Sequence, residues 1–470
     1  MVPEQQKMTL SFKSGTIILS DGDVPDDLKN TFVFDSRTGC YTARGCDYAS
    51  TVLRLVSSGT AFEDGARRYR VLDELAMREP LVLRPHQQES LSAWLSAGRR
   101  GVAVLPTGSG KTILAVEAIM RTRRSALVLV PTIDLLSQWC GVLERFFNIP
   151  IGMLGGGSHD ICDITVSTYD SAVLNMEFIG DRFGLLIADE CHHLPAGEYR
   201  LAAAMSIAPY RLGLTATPEM AQERMDILCE LMGDIVSRKH IDEMAGNVLS
   251  PYTVKTIRTR LNPEELARYR EMRALYTNFI RSRGISFDSP DGWKNFMIHA
   301  SRSDEGRQAF KAFLEQRAIA RGGEEKISRL KDIFLRHPDE RIIIFTADNA
   351  TAYNIGRRYL LPVLTHHTKS AERKEFLQLF REGVYRVLVT SQVLNEGVDV
   401  PEAAVGVILS GSGSVREHVQ RLGRILRPAP GKQQAILYEI ISGDTAEEQV
   451  SMRRRDHRAY HRGVKKYADK

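Results

Sequence analysis

The stretch Gly101-Val102-Ala103-Val104-Leu105-Pro106-Thr107-Gly108-Ser109-Gly110-Lys111-Thr112 decides how this chain folds. Its first five residues suit a buried strand, and the run from Ile113 to Met120 beyond the loop has helical texture. Glycines between a strand and a helix let backbone N–H groups turn inward, at a helix N-terminus that already favours anions. The pattern is a phosphate cradle. Thr107, Gly108, Ser109 and Gly110 would line it, Lys111 would neutralise β and γ phosphates, and Thr112 would hold Mg²⁺. The generic pattern has glycine five residues before Gly110, where this chain has Leu105. The competing reading is an ordinary glycine-rich turn.

Outward from the loop the same texture continues. Ala126-Leu127-Val128-Leu129-Val130, Ile164-Thr165-Val166-Ser167, Leu185-Leu186-Ile187-Ala188 and Arg211-Leu212-Gly213-Leu214 alternate with amphipathic segments. Buried parallel strands with crossover helices give that alternation. Asp189-Glu190 end the third of these runs, where an open α/β sheet presents its ligands. Asp189 would orient Mg²⁺ and Glu190 would polarise an attacking water. Cys191, His192 and His193 follow, but consecutive residues do not easily surround one ion. Thr215-Ala216-Thr217 reads as a cap or turn as readily as a site. So does Arg84-Pro85-His86-Gln87, where the Gln87 amide could read an adenine edge.

Far downstream lies Gln420-Arg421-Leu422-Gly423-Arg424-Ile425-Leu426-Arg427. Guanidinium groups at this spacing suit a triphosphate, whose oxygens they grip in pairs. If both segments touch one nucleotide, the site is split between two parts of the chain, closing on ATP and opening after hydrolysis. That is the design of a motor.

The rest of the chain is bounded by simpler arguments. At 470 residues two or three domains are expected, and 43% hydrophobic content supplies real cores. No apolar run reaches membrane-span length and no signal-peptide pattern opens the chain, so a cytoplasmic protein is expected. Six cysteines without a C-x-x-C pair indicate neither a zinc site nor a disulfide framework. The net charge of +5 is uneven: residues 451–470 carry eight basic and two acidic side chains, leaving the remainder near −1. A basic tail of this kind, 451–470, suits a phosphate backbone or is simply a solvated end. Residues 1–80 read as a small α+β unit with strands near Met8–Phe12 and Gly15–Leu19 and a helix from Tyr48 to Ser58. Residues 81–250 and 326–450 are the two α/β blocks. Between them, 251–325 form a helical, net basic insert whose helix from Asn262 to Arg283 opens on Asn262-Pro263-Glu264-Glu265.

Taken in order, Arg84-Pro85-His86-Gln87, the phosphate loop, Asp189-Glu190-Cys191-His192, Thr215-Ala216-Thr217, Asn395-Glu396-Gly397-Val398-Asp399 and Gln420 to Arg427 resemble the superfamily 2 helicases. Leu185 to Ala196, Ser206 to Leu214, Ser410 to Ser414 and Arg281-Ser282-Arg283-Gly284-Ile285 are similar to the XPB helicases, especially their short archaeal and bacterial forms. The resemblance implies two RecA-like parallel-sheet lobes, an N-terminal damage-recognition-like α+β domain and a helical thumb insert. It implies ATP and Mg²⁺ as cofactors and DNA, as single strands and duplex junctions, as partner. Arg424 and Arg427 would be arginine fingers, Gln420 would meet the γ-phosphate or water, Asp399 the ribose, and Gly397 would allow close backbone approach. Arg84 and Gln87 would belong to the nucleotide site. Pro131-Thr132, Thr168-Tyr169, Thr365-His366 and Thr390-Ser391 would contact DNA, mostly at phosphates. A 3′ to 5′ motor in DNA repair is implied, acting as a monomer with a possible partner nuclease. One departure stands out: XPB proteins usually carry Arg-Glu-Asp where this chain has Met220-Ala221-Gln222.

Overall fold

The computed structural model describes residues 8–21, 24–216, 220–244, 250–287, 291–391, 403–409 and 434–448. The chain divides into two compact units, meeting in sequence near residue 240.

The first unit begins with strands β1 (Met8–Lys13), β2 (Thr16–Ser20), β3 (Val33–Asp35), β4 (Cys40–Arg44) and β5 (Phe62–Asp64), in the order β3-β4-β2-β1-β5. Lys13 pairs with Thr16, so Ser14-Gly15 is a two-residue hairpin loop with both φ angles positive, the mirror-image turn that matches strand twist. Leu10, Ile17 and Leu19 bury one face against Leu55 of helix Tyr48–Ser57.

Then comes an eight-stranded sheet: β6 (Arg100–Val104), β7 (Ala126–Val130), β8 (Ile151–Gly155), β9 (Ser158–His159), β10 (Ile164–Thr168), β11 (Leu185–Asp189), β12 (Tyr210–Thr215) and β13 (Ile235–Arg238). Its order is β13-β6-β12-β11-β7-β10-β8-β9, parallel except for the β8–β9 hairpin. Every residue of β7, β10 and β11 is buried, which is why these strands are continuous apolar runs. Because the strands are parallel, the segments following β6, β7, β10, β11 and β12 all emerge at one edge of the sheet.

The second unit holds a six-stranded, wholly parallel sheet: β14 (Tyr252–Thr259), β15 (Ile342–Phe345), β16 (Val363–Leu364), β17 (Val387–Thr390), β18 (Val405–Ile408) and β19 (Ala435–Ser442), ordered β14-β19-β18-β15-β17-β16. The insert therefore opens with a strand before its helices Pro263–Ser282, Gly292–Arg302 and Asp304–Gly322. The helices pack on an aromatic cluster around Phe279 and Phe296, with Tyr276 and Phe313 against it. No helix among the described residues is long and apolar enough to cross a membrane.

Candidate nucleotide site

The glycine loop leaves β6 and enters helix Lys111–Thr122, with Gly108 at φ 85° and Gly110 at φ 85°, ψ 41°. These left-handed conformations favour glycine. At Gly110 there is a second reason: a Cβ would lie 2.4 Å from Gln87 Nε2. The Gln87 amide donates to the carbonyls of Ser109 and Gly110, both at 3.1 Å, and its Oε1 accepts from the Arg84 backbone N–H at 2.8 Å. His86 Nε2 lies 2.9 Å from the Ser109 carbonyl. In this structure Gln87 is thus buried against the loop and holds its backbone, in place of an amide open to a base edge, while Arg84 is exposed.

Lys111 Nζ lies 3.4 Å from the Leu105 carbonyl and 3.7 Å from Glu190 Oε1. Strand pairing of β6 with β12, and of β12 with β11, brings the loop and the Asp189-Glu190 pair to the same sheet edge. The Asp189 carboxylate is held in plane: Oδ1 accepts from Glu190 N–H at 3.0 Å and Oδ2 from the Trp139 indole N–H at 2.9 Å. Burial first, and then the neighbouring Glu190, push Asp189 up to about 6. Glu190 has φ 47° and ψ 49°, a left-handed conformation uncommon for a residue with a side chain. His192 Nδ1 lies 3.1 Å from Thr215 Oγ1 and 3.5 Å from Glu190 Oε2, joining the ends of β11 and β12.

The side chains present fit a triphosphate and its metal. Thr107 Oγ1, Ser109 Oγ and Glu190 Oε2 are buried without a hydrogen-bond partner among the described residues. Amides of a first helical turn have no intrahelical acceptors. An anion and a hydrated cation would satisfy both sets. Thr112 and Asp189 are the residues that would face the cation. Cys191 is a different case: burial, with Glu190 and Asp189 beside it, drives its thiol pKa upward, and no three-residue metal cluster occurs among the described residues.

The segments implied to touch DNA are placed at the sheet edges, but mostly with side chains turned inward. Thr132 and Thr168 cap helices Ile133–Phe146 and Tyr169–Ile179, accepting from Leu135 and Ser171 N–H. Tyr169 is buried, its hydroxyl donating to the Asp189 carbonyl at 2.8 Å. Thr365, Thr390 and Ser391 are buried too, and His366 is exposed. Any phosphate contact at the buried positions is left to backbone amides. Met220-Ala221-Gln222 precede and open helix Gln222–Met232, and the Gln222 amide bonds Asp226 at 2.7 Å. Thr217, Gly397, Asp399, Gln420, Arg424, Arg427 and the basic tail lie outside the described residues. Sequence reading missed Trp139 and His86 as partners of the site. An aromatic at helical spacing reads as core, and Trp139 is also that.

Three family profiles match the chain: the Xeroderma pigmentosum group B helicase damage recognition domain over 10–66, the type III restriction enzyme res subunit over 80–220, and the helicase conserved C-terminal domain over 325–429. A DNA 3′-5′ translocase XPB2 of Sulfurisphaera tokodaii is 40% identical over 389 residues, covering 82% of this chain and 88% of the relative. A DNA 3′-5′ helicase XPB of Mycobacterium tuberculosis is 30% identical, covering 80% of this chain and 64% of that protein. The chain spans about half of the general transcription and DNA repair factor IIH helicase/translocase subunit XPB of Dictyostelium discoideum, at 26% identity. Among solved structures, the Hef helicase domain of Pyrococcus furiosus aligns with TM-score 0.50 over 79% of this chain and 99% of that one, at 20% identity, a likeness of fold. Two parallel-sheet lobes, a phosphate loop facing Asp189-Glu190, and this extent of identity lead to one conclusion: the chain belongs to the XPB family of superfamily 2 DNA helicases.

Proposed function

We propose that this protein is an ATP-dependent 3′ to 5′ DNA helicase or translocase whose ATP hydrolysis is stimulated by DNA and requires Mg²⁺, acting in DNA repair of the nucleotide-excision type. The observation that carries the reading is Lys111 Nζ standing 3.7 Å from Glu190 Oε1 across the mouth of a glycine loop that holds unpartnered buried hydroxyls. When bound, Mg²⁺ would neutralise the transferring phosphoryl group. Lys111 and the loop amides grip phosphate oxygens. Asp189 and Thr112 orient the cation. Glu190, set by its left-handed backbone beside Lys111, orients the attacking water. Gly397, Asp399, Gln420, Arg424 and Arg427 enter the proposal on their motif match alone. Residues 1–80, 81–250, 251–325 and 326–450 serve as damage-recognition domain, first lobe, thumb and second lobe, with 451–470 as a basic tail. The protein works in the cytoplasm as a monomer on strands and duplex junctions. The Sulfurisphaera and Mycobacterium relatives, a 3′-5′ translocase and a 3′-5′ helicase by name, support the direction of movement.

Met220-Ala221-Gln222 favour a second reading, an ATP-switched clamp that opens or marks duplex for a partner nuclease with little processive unwinding. These positions carry no charge, and Gln222 is engaged with Asp226. ATP hydrolysis and separation of a forked duplex, measured on one preparation, decide between them: a motor couples both, and a clamp hydrolyses ATP without separating strands. Lys111→Ala should abolish DNA-stimulated hydrolysis under either reading. Retained hydrolysis would sink the phosphate-loop assignment.

A further inference from the structure

Lys326 and Glu447 form an ion pair with almost no exposure, 0% and 8% at their side chains, Nζ standing 2.5 Å from Oε2. Two apolar side chains of that size would hold the core together as well, because desolvation consumes most of the attraction. What the ions add is direction, since a charge-assisted bond holds only over a narrow range of distance and angle. Each ion is tied further. Lys326 Nζ also donates to the Ala320 carbonyl at 3.2 Å, and Glu447 Oε2 accepts the Ser442 N–H at 3.0 Å. Glu447 Oε1 is buried without a hydrogen-bond partner among the described residues, so one oxygen carries the whole connection.

The pair sits at the joint of the helical insert. Helix Asp304–Gly322 ends the insert and helix Glu324–Arg336 begins beyond it, with Gly323 between them at φ −50° and ψ 140°. Gly322 and Gly323 leave the backbone torsions there with wide freedom. The chain itself therefore does not fix the angle at which the insert leaves the sheet. Two bonds across the joint, Glu324 N–H to Glu265 and Arg260 N–H to Glu325, are exposed and compete with water. Deeper bonds converge on the turn 442–447, which follows β19. Ser442 Oγ donates to the Ala320 carbonyl at 2.7 Å, in the last turn of helix Asp304–Gly322. The Ala446 N–H donates at 2.8 Å to the hydroxyl of buried Tyr269, on helix Pro263–Ser282. One turn thus holds both long helices of the insert, and Lys326 joins them to the helix beyond.

We propose that the turn 442–447 is a conformational latch. Through Glu447 and Lys326 it fixes the angle between the helical insert and the six-stranded sheet, and breaking the pair frees the insert to swing about Gly322-Gly323. The turn moves as one piece, because Thr445 Oγ donates to the Ser442 carbonyl at 2.8 Å and accepts the Glu447 N–H at 3.2 Å. Drawing it away from the joint therefore removes the holds on Ala320, Tyr269 and Lys326 together.

The test places p-acetylphenylalanine, carrying a nitroxide on its ketone, at exposed Lys294 of the insert and exposed Asn354 of helix Asn349–Tyr359, in the full chain. The ketone leaves the native cysteines unlabelled. Pulsed dipolar spectroscopy then reads the distribution of distances between the two nitroxides. With the latch intact one narrow distance is expected. Losing a charge-assisted bond shifts a two-position equilibrium by about tenfold or more, so Glu447→Gln should raise a second distance by that factor. Lys326→Met combined with Glu447→Met fills the same space without charge. This double variant should melt close to the unsubstituted protein and still show the second distance. A single narrow distance in Glu447→Gln, or in the double variant, overturns the latch, because packing alone would then set the angle. If Glu447→Gln does not fold, the double variant decides alone.

Discussion

Asp189 is a buried acid with a raised pKa, so its protonated form is favoured by the fold. The folded state then holds its proton more tightly than the unfolded chain. Its contribution to stability is full below the ordinary carboxylate value near 3.8 and is lost as pH rises through about 6. Asp189→Asn removes the charge. In metal- and nucleotide-free buffer it should stabilise the protein by about 1–3 kcal/mol at pH 8 and by little at pH 4, read as a melting-temperature difference between the two conditions. The same variant should lose hydrolysis. A melting temperature unchanged at pH 8 would mean that the carboxylate carries no net cost where it sits. Of this site, the loop and the acidic pair were legible in sequence because their residue types are dictated by phosphate and metal chemistry. Gln87, whose amide could cap a helix or read an adenine edge, accepts from the Arg84 N–H as a cap and braces the loop with its amide N–H groups, because a side-chain amide suits backbone groups as well as an adenine. Trp139 gave no signal, since nothing in spacing separates a core tryptophan from one whose single polar atom meets a carboxylate.

At the scale of elements, the base of the helical insert depends on one carboxylate. Asn262 Oδ1 accepts from Glu265 N–H, and Glu265 Oε2 accepts from Asn262 N–H, both at 2.9 Å, a reciprocal cap on helix Pro263–Ser282. The other oxygen of Glu265 accepts from Glu324 N–H at 3.0 Å, the first residue of helix Glu324–Arg336. One side chain therefore serves two helix starts. Asn262→Ala should cost about 1 kcal/mol and Glu265→Ala more, since it leaves one backbone donor at each helix start without its acceptor. Chemical denaturation of the two variants gives the comparison, and equal losses would show that the second cap is idle. The first helix was legible because Asn-Pro-Glu-Glu is a start signal with a mechanism. Buried parallel strands were legible as apolar runs. β14 was not: it alternates Lys255 and Arg258 with Val254 and Ile257 at a sheet edge, and that mixture resembles the basic helices after it. β16, two residues long, offers no pattern at all.

For the whole molecule, the two units differ in how their chain is laid out. The described residues of the first lie between Met8 and His240, while among the described strands of the second the first in sequence lies beside the last. A fragment of residues 1–240 should fold alone and resist proteolysis; cleavage within its β7 or β11 would show that it needs the rest of the chain. The second unit admits no such shortcut. β14 pairs along its whole length with β19, from Tyr252 opposite Ala435 to Thr259 opposite Ser442, and among the described residues β19 alone joins it to the other strands. A ribosome adds about 5–20 residues per second, so β14 waits roughly ten to thirty-five seconds after its own synthesis for its neighbour. Throughout that time an eight-residue strand stands as a bare template. Nascent chains stalled before residue 434 should therefore engage holding chaperones through this segment, and release only once the final strand has left the exit tunnel.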